Sequence, residues 1–414
     1  MVLDVLIVGA GLAGLCYARR VQQAGLSFLV LEASDGVGGR IRTDRIDGFQ
    51  LDRGFQVFLT AYPEAKRLLD YHALDLRAFR PGALVRQGFA FHCLTDPWRR
   101  PLQGLRSLFS PIGSFWDKAR VARLRSRVLK GTLEDRFDEP ETTTLQALQD
   151  AGFSPSIVER FFRPFLGGIF LESDLQTSSR MFHFVFRMFS SGDACLPTKG
   201  MEAIPRQLAA GLPAESVRLG AQVVRVEAGS VQLDSGEALQ ARAIVVAVEG
   251  PAAAKLLGGS LSAAVQGVTC LYFAADRPPI EEPVLVLNGE GHGPVNNLCV
   301  PSLVAPSYAP DQQHLVSATV LGMTMLDETE LQAEVRDQLA GWFGPAVNRW
   351  RHLRTYRISC ALPRQVPPAL SMPERPVRWQ PGVYVCGDHR DNASIQGAMV
   401  SGRRAAEALL EDVL

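Results

Sequence analysis

The sequence predicts an α/β fold in which a parallel sheet is assembled from separated pieces of chain, with an α+β unit inserted between them. Three observations carry this reading. A strand, glycine-turn and helix pattern opens the chain at residues 5–24, and a second strand–turn–helix pattern closes it at 383–410. Two long stretches between them, about 80–195 and 265–375, do not continue the pattern. The length of 414 residues suits two domains of roughly 100–200 residues each.

In chain order, Val5-Leu6-Ile7-Val8 is a continuous apolar run, as a strand buried on both faces requires. Gly9-Ala10-Gly11-Leu12-Ala13-Gly14 follows, then a helical stretch from Leu15 to Ala24 ended by Gly25, then the apolar strand Ser27–Leu31. Glu32 closes that strand 18 residues after Gly14. In a Rossmann-type dinucleotide site each residue type has a task. Gly9 permits the tight turn, Gly11 lets the backbone approach a pyrophosphate, and Gly14 lets helix and strand pack closely. The helix N-terminus beside Leu12 and Ala13 offers N–H groups and a partial positive charge to the phosphates. Glu32 accepts hydrogen bonds from ribose hydroxyls, and its charge repels a 2′-phosphate. A lone G-x-G-x-x-G is a weak signal; here strand, helix, second strand and acidic end are in register.

Downstream, Gly36-Val37-Gly38-Gly39-Arg40-Ile41-Arg42 carries a second glycine pair followed by arginines. A second backbone approach beside a guanidinium suits a further contact with a diphosphate or ribityl chain. On these residues the chain resembles the flavin-containing amine oxidase superfamily, in which the strand-end Glu is followed by a Gly-Gly-Arg signature. That superfamily includes protoporphyrinogen oxidases and phytoene desaturases. Gly48-Phe49-Gln50-Leu51-Asp52-Arg53-Gly54-Phe55-Gln56 is similar to the family segment that places a glycine near the flavin ring, and Tyr62-Pro63 resembles the phytoene desaturase-like branch. The resemblance implies FAD, bound non-covalently, and extends the cofactor contacts to Ala33, Gly39, Arg40, Gly54, Phe55 and Gln56.

The resemblance returns at the other end. Val383-Tyr384-Val385-Cys386-Gly387-Asp388 is an apolar strand ending in Gly-Asp; in the family that acid meets the ribityl chain or pyrophosphate. Ser394-Ile395-Gln396-Gly397 opens a helix running to about Leu410. The family places such an N-terminus at the flavin pyrimidine ring, where its partial positive charge stabilises reduced flavin. In the middle, Leu196-Pro197-Thr198-Lys199-Gly200-Met201 resembles a Pro-x-x-Gly-Met re-entry. A turn at Asp234-Ser235-Gly236 makes a hairpin between Gln222–Val226 and Ala243–Val248, and the family's adenine-contacting amide carries over to Val223. The expected division is a discontinuous FAD-binding domain (1–80, 196–264, 376–414) and a substrate-binding domain (81–195, 265–375).

The inserted stretches bear on the substrate. Nine of the 21 Phe lie within 153–189, and Met181-Val185-Met188 and Phe182-Phe186-Phe189 sit at helical spacing. Such a helix is more often core than cavity wall, although a flavin enzyme must also exclude water over the ring. His183 on it reads as a satisfied core residue. The segment 98–130 carries nine basic residues and only Asp117, with Trp98, Phe109, Phe115 and Trp116 interleaved. It reads either as a solvated face paired with the acids at 134–141, or as a peripheral membrane contact.

Composition excludes other classes. Forty-three Lys and Arg balance 43 Asp and Glu, which argues against nucleic acid as a partner. No apolar run reaches the roughly 20 residues that span a bilayer, and the first residues do not read as a signal peptide. Seven dispersed Cys without a C-x-x-C pair argue against a disulfide framework or a metal site. The expected location is therefore cytoplasmic.

Two positions depart from the amine oxidase pattern. The strand position where many members hold a lysine falls on Cys270. Cys360 lies 27 residues before Gly387, in the region where some members attach flavin covalently, but Cys360-Ala361-Leu362-Pro363 fits better the Ala-x-Pro of non-covalent members. No acid–base dyad stands out, so no catalytic residue is assigned; His389 and Arg390 are placed on the ribityl side or the surface. The expected activity is removal of a hydride from an apolar small molecule, isoprenoid or polyene in type. The alternatives are a peroxide-producing amine oxidase and a non-redox flavoprotein.

Overall fold

The structure, a computed structural model, describes residues 3–99, 110–137, 139–258 and 264–413. Two large sheets organise it. In the first, Val217–Arg218, Phe28–Leu31, Leu3–Val8, Ala238–Val246 and Val383–Val385 lie side by side and parallel. Leu6, Ile7, Val30, Ile244, Val245 and Val385 are fully buried. Covering on both faces explains why these strands read as unbroken apolar runs. Strands from both ends and the middle of the sequence thus share one sheet.

The glycine-turn helix spans Leu12–Gln23, so Leu12, Ala13 and Gly14 form its first turn, earlier than the expected start at Leu15. The closing helix runs Ile395–Val413, three residues beyond the expected end. These two helices pack against each other. A Cβ on Gly402 would strike the Ala13 carbonyl, so glycine there lets the helix backbones meet.

The hairpin expectation needs correction. Val223–Glu227 pairs antiparallel with an additional strand, Ser230–Leu233, and the turn at 234–237 joins that strand to Ala238–Val246. The unit is a three-stranded meander. Ala228-Gly229 makes its first turn, and Gly229 has a φ of 83°, a conformation that glycine adopts without steric cost.

The second sheet runs in the order Arg351–Pro363, Val265–Ala275, His314–Leu321, Val295–Cys299, Leu285–Asn288, Gly82–Gln87, Ala90–Thr95. Every neighbouring pair is antiparallel except Leu285–Asn288 with Gly82–Gln87. Along Val265–Ala275, Cys270, Tyr272 and Ala274 enter the main core, while Leu271, Phe273 and Ala275 pack with Leu331, Val335, Leu339 and Trp342 of the Glu328–Phe343 helix. The side chains alternate between two apolar layers.

The aromatic helix spans Ser179–Ser191. Met181, Phe182, Phe184, Val185 and Met188 are buried, and Phe184 stacks on Tyr62 at 6.2 Å. Core packing therefore accounts for most of its apolar face. The Phe115–Leu129 helix packs on it and starts at a capping box made by Ser114 and Asp117. Residues 100–109, which include Arg100, Arg106 and Phe109, lie outside the described residues, as does Asp138. No helix among the described residues is long and apolar enough to cross a membrane.

Candidate functional site

The glycines of the first turn do different work. Gly9 has a φ of 105°, and a Cβ there would sit 2.8 Å from the Ala247 carbonyl; one on Gly14 would strike the Gly9 carbonyl. Both are required by the protein's own packing. Gly11 is not: its φ is −71°, open to any residue, and a Cβ there meets no protein atom within 4 Å. Gly39, with a φ of 59°, lies opposite, its Cβ position 3.5 Å from the Gly11 Cα. The two glycine segments are joined by the Gly38 amide, which donates to the Ala10 carbonyl at 2.9 Å. Two bare backbones facing one another at a helix N-terminus form the cradle that a dinucleotide's diphosphate fits.

Glu32 stands at the end of its strand beside that cradle. Its Oε2 accepts from the Ala10 amide at 2.8 Å, and its Oε1 accepts from the Ser34 amide and hydroxyl at 2.9 and 2.7 Å. The carboxylate is thereby fixed next to the glycine turn, where it could receive a ribose. Ala33 is exposed beside it. Val223 belongs to the same end: the Ala221 amide donates to the Glu32 carbonyl at 2.8 Å.

Arg40 ties the pieces together. Its Nη2 donates to Asp388 Oδ2 at 2.7 Å and its Nη1 to the Ala361 carbonyl at 2.8 Å. Burial works against its charge, yet the Asp388 carboxylate outweighs burial and holds the guanidinium above its usual pKa. Asp388 is buried, and its Oδ1 has no hydrogen-bond partner among the described residues. Gln56 Nε2 donates to the Arg40 carbonyl at 2.9 Å, fixing the backbone behind the pair. Gly54 has a φ of 84°, and a Cβ there would come within 2.8 Å of Ile358 Cδ1. Phe55 meets Phe79 edge-on at 6.2 Å. Gly387, Asp388, Arg40 and the Ala361 strand thus converge, with Gly54–Gln56 alongside.

Ser394 Oγ accepts from the Gly397 amide at 3.0 Å, capping the closing helix. The side-chain carbonyl of Gln396 accepts from the Glu64 amide at 2.9 Å, so that carbonyl serves the Pro63–Leu68 helix. His389 is buried, both ring nitrogens lack partners among the described residues, and burial lowers its pKa to about 4. Cys270 is fully buried 3.3 Å from Ser317 Oγ, and burial pushes its thiol up to about 11. The half-buried Cys360 thiol is pushed up to about 12 by burial and the neighbouring Glu249 carboxylate, which makes it a poor nucleophile.

Several residues the sequence did not single out position this site. Asp52 is buried and accepts from Thr43 Oγ1 at 2.5 Å, the Met201 amide at 2.9 Å and Tyr308 Oη at 2.9 Å, while Tyr272 Oη donates to its carbonyl at 2.9 Å. Gln365 Nε2 donates to the Asp391 carbonyl at 2.8 Å and its Oε1 accepts from the Ala393 amide at 2.9 Å, holding the loop before Ser394. Asp52 lay inside a quoted motif, but partners scattered from 43 to 308 leave no sequence signal. Among the described residues no cluster of three or more metal-type ligands occurs.

A parallel sheet with paired glycine segments, a strand-end acid and an Arg–Asp tie defines a dinucleotide-binding oxidoreductase of the flavin type. The chain belongs to the flavin containing amine oxidoreductase family, whose model matches residues 12–410, and its cofactor is FAD. It is 27% identical over 280 residues to a coproporphyrinogen III oxidase of Mycobacterium tuberculosis, covering 61% of this chain and 60% of that protein. It is also 27% identical over 169 residues to protoporphyrinogen oxidase 2 of Arabidopsis thaliana, covering 40% of this chain and 32% of that one. The chain thus matches about 60% or less of the length of these curated relatives. Among solved structures, a cofactor-binding redesign of putrescine oxidase superposes with a TM-score of 0.74 at 18% identity, covering 99% of both chains. A Methanosarcina mazei oxidoreductase gives 0.75 at 19%, covering 98% of this chain and 100% of that one. Cyclohexylamine oxidase from Brevibacterium oxydans gives 0.72 at 17%, covering 100% of both.

Proposed function

We propose that this FAD-dependent oxidoreductase removes a hydride from an apolar, reduced-ring or polyene substrate. The carrying observation is the apolar contacts at Gly54–Gln56: Phe55 on Phe79 and Ile358 against Gly54. The nearby strand carries Cys270, a buried protonated thiol, where the family's amine oxidases hold a lysine. The coproporphyrinogen III oxidase match supports the same reading.

Gly11, Glu32, Gly39, Arg40 and Asp388 are proposed to hold the FAD, with Val223 at the adenine end and the closing helix at the flavin end. Bound FAD supplies the hydride acceptor. The chain's own part is to fix the cofactor through the Arg40–Asp388 tie, orient the substrate against Gly54, and keep water out with the Phe55–Phe79 and Ile358 surfaces.

Turnover in air tests the proposal, with hydrogen peroxide as the readout. Reduced cyclic tetrapyrroles and polyenes should give a kcat/KM at least a hundredfold above that of putrescine and primary amines. The reverse order would establish the second reading, amine oxidation, which the full-length likeness to putrescine and cyclohexylamine oxidases favours.

A further inference from the structure

The Phe115–Leu129 helix presents a buried face and, about 100° around its axis, a cationic one. Asp117, Leu124 and Val128 are buried against the protein, with Val121 half-buried between them. The other face reads Trp116, Arg120, Arg123, Arg127 and, just past the helix end, Lys130, spaced by four, three, four and three residues. That spacing puts them on one stripe. The stripe carries no acid.

The helix's only acid, Asp117, is held mainly by serines and also pairs with Arg120 of the stripe at 3.5 Å. It accepts from the Ser114 amide and hydroxyl at 2.7 Å each, from the Ser154 amide at 2.9 Å and from the Ser154 hydroxyl at 2.7 Å. Of the downstream acids expected to neutralise this face, Glu139 pairs with Arg127 at 2.8 Å. Among the described residues, Arg123 and the Lys130 ammonium have no partner. Large aromatic side chains stand out beside the cations: Phe115 is 64% exposed, Trp116 68% and Trp98 49%. Phe115 and Trp116 meet edge-on at 6.0 Å, and Arg125 lies 5.0 Å over the Trp98 ring. Phe115 and Trp116 stand at the start of the stripe, whereas Arg125, which carries the Trp98 contact, lies on the opposite side of the helix from it.

We propose that this stripe docks the protein on an anionic lipid bilayer. The exposed Phe115 and Trp116 rings favour the headgroup boundary, and Arg123 and Lys130, which have no acidic partner among the described residues, complement anionic headgroups. A nucleic acid is disfavoured by the balanced charge of the chain, 43 Lys and Arg against 43 Asp and Glu. The surface lies on the helix packed against the aromatic Ser179–Ser191 helix, so docking would bring apolar solutes of the bilayer close to the inserted region.

Co-sedimentation of the FAD-loaded protein with vesicles tests this independently of the substrate. Vesicles of phosphatidylcholine with 30% phosphatidylglycerol (roughly a typical anionic fraction) should carry the protein down at low salt, and pure phosphatidylcholine should not. The double variant Arg123→Glu/Lys130→Glu should lower partitioning by on the order of a hundredfold, and Phe115→Ser/Trp116→Ser by about tenfold or more. All four positions are exposed, and retention of flavin absorbance checks folding. Protein remaining in solution with anionic vesicles, equal binding to neutral ones, or wild-type binding by both variants would overturn the proposal.

Discussion

At Gly11 a methyl group has room in the protein but would crowd a diphosphate held in the proposed cradle, whereas at Gly14 the protein's own packing leaves no room. Gly11→Ala should therefore leave apo stability within about 0.5 kcal/mol while weakening FAD binding by roughly tenfold to a hundredfold. Gly14→Ala should cost about 1–3 kcal/mol of stability through the collision with Gly9. Urea unfolding of the apo forms, together with FAD titration, separates the two. Asp52 makes a pH prediction. Burial raises its pKa to about 6 from an ordinary 3.8, against the hydrogen bonds that favour the carboxylate. The folded state thus holds a proton that the unfolded chain releases near pH 4, so stability falls as pH rises from about 4 to 6 and then levels. Asp52→Asn retains an acceptor for Thr43 and Met201 and should remove up to about 3 kcal/mol of that slope. Thermal unfolding from pH 4 to 7 reads it; Asp391, also raised to about 6 by burial, leaves a residual slope in the same window.

At the scale of elements, the aromatic helix and the Arg40–Asp388 tie make separate claims. Phe182 is fully enclosed and touches Phe162, His183 and Phe186, so Phe182→Ala should cost about 3–5 kcal/mol in urea unfolding. Asp388→Asn keeps the shape but removes the charge facing a partly buried guanidinium. It should cost about 2–3 kcal/mol and weaken FAD retention, measured by flavin released on dialysis. Elements differ in how far they could be read in advance. The parallel strands were legible because burial on both faces makes the runs at 5–8 and 383–385 continuously apolar. The Ser230–Leu233 strand was missed because it is short and its turn, Ala228-Gly229, carries weaker turn chemistry than Asp234-Ser235-Gly236. The order of the second sheet was not legible: Val265–Ala275 faces two apolar layers, so no polar alternation marks its sides, and its partners lie 39 to 98 residues away in sequence.

For the whole molecule, the cradle is made where residues 9–14, 32–40, 54–56, 221–223, 361 and 387–388 meet, and no single piece contains it. Gly11, Glu32, Arg40 and Asp388, expected from the first and last segments to contact a cofactor, are brought together here, while the ties that bring the segments together were not visible in any one of them. Because FAD should bind the folded chain and not the unfolded one, whose pieces of the proposed site are apart, it should stabilise the chain by about 2.7 kcal/mol at a free concentration one hundred times its Kd, seen as a shift of the urea midpoint between apo and reconstituted protein. The most direct test of the functional account is anaerobic reduction of the bound flavin, followed by loss of its absorbance in the visible. Bleaching by porphyrinogens or polyenes, with amines leaving the colour unchanged over the same time, is the predicted result. Rapid bleaching by putrescine or primary amines, with the apolar set inert, would contradict it.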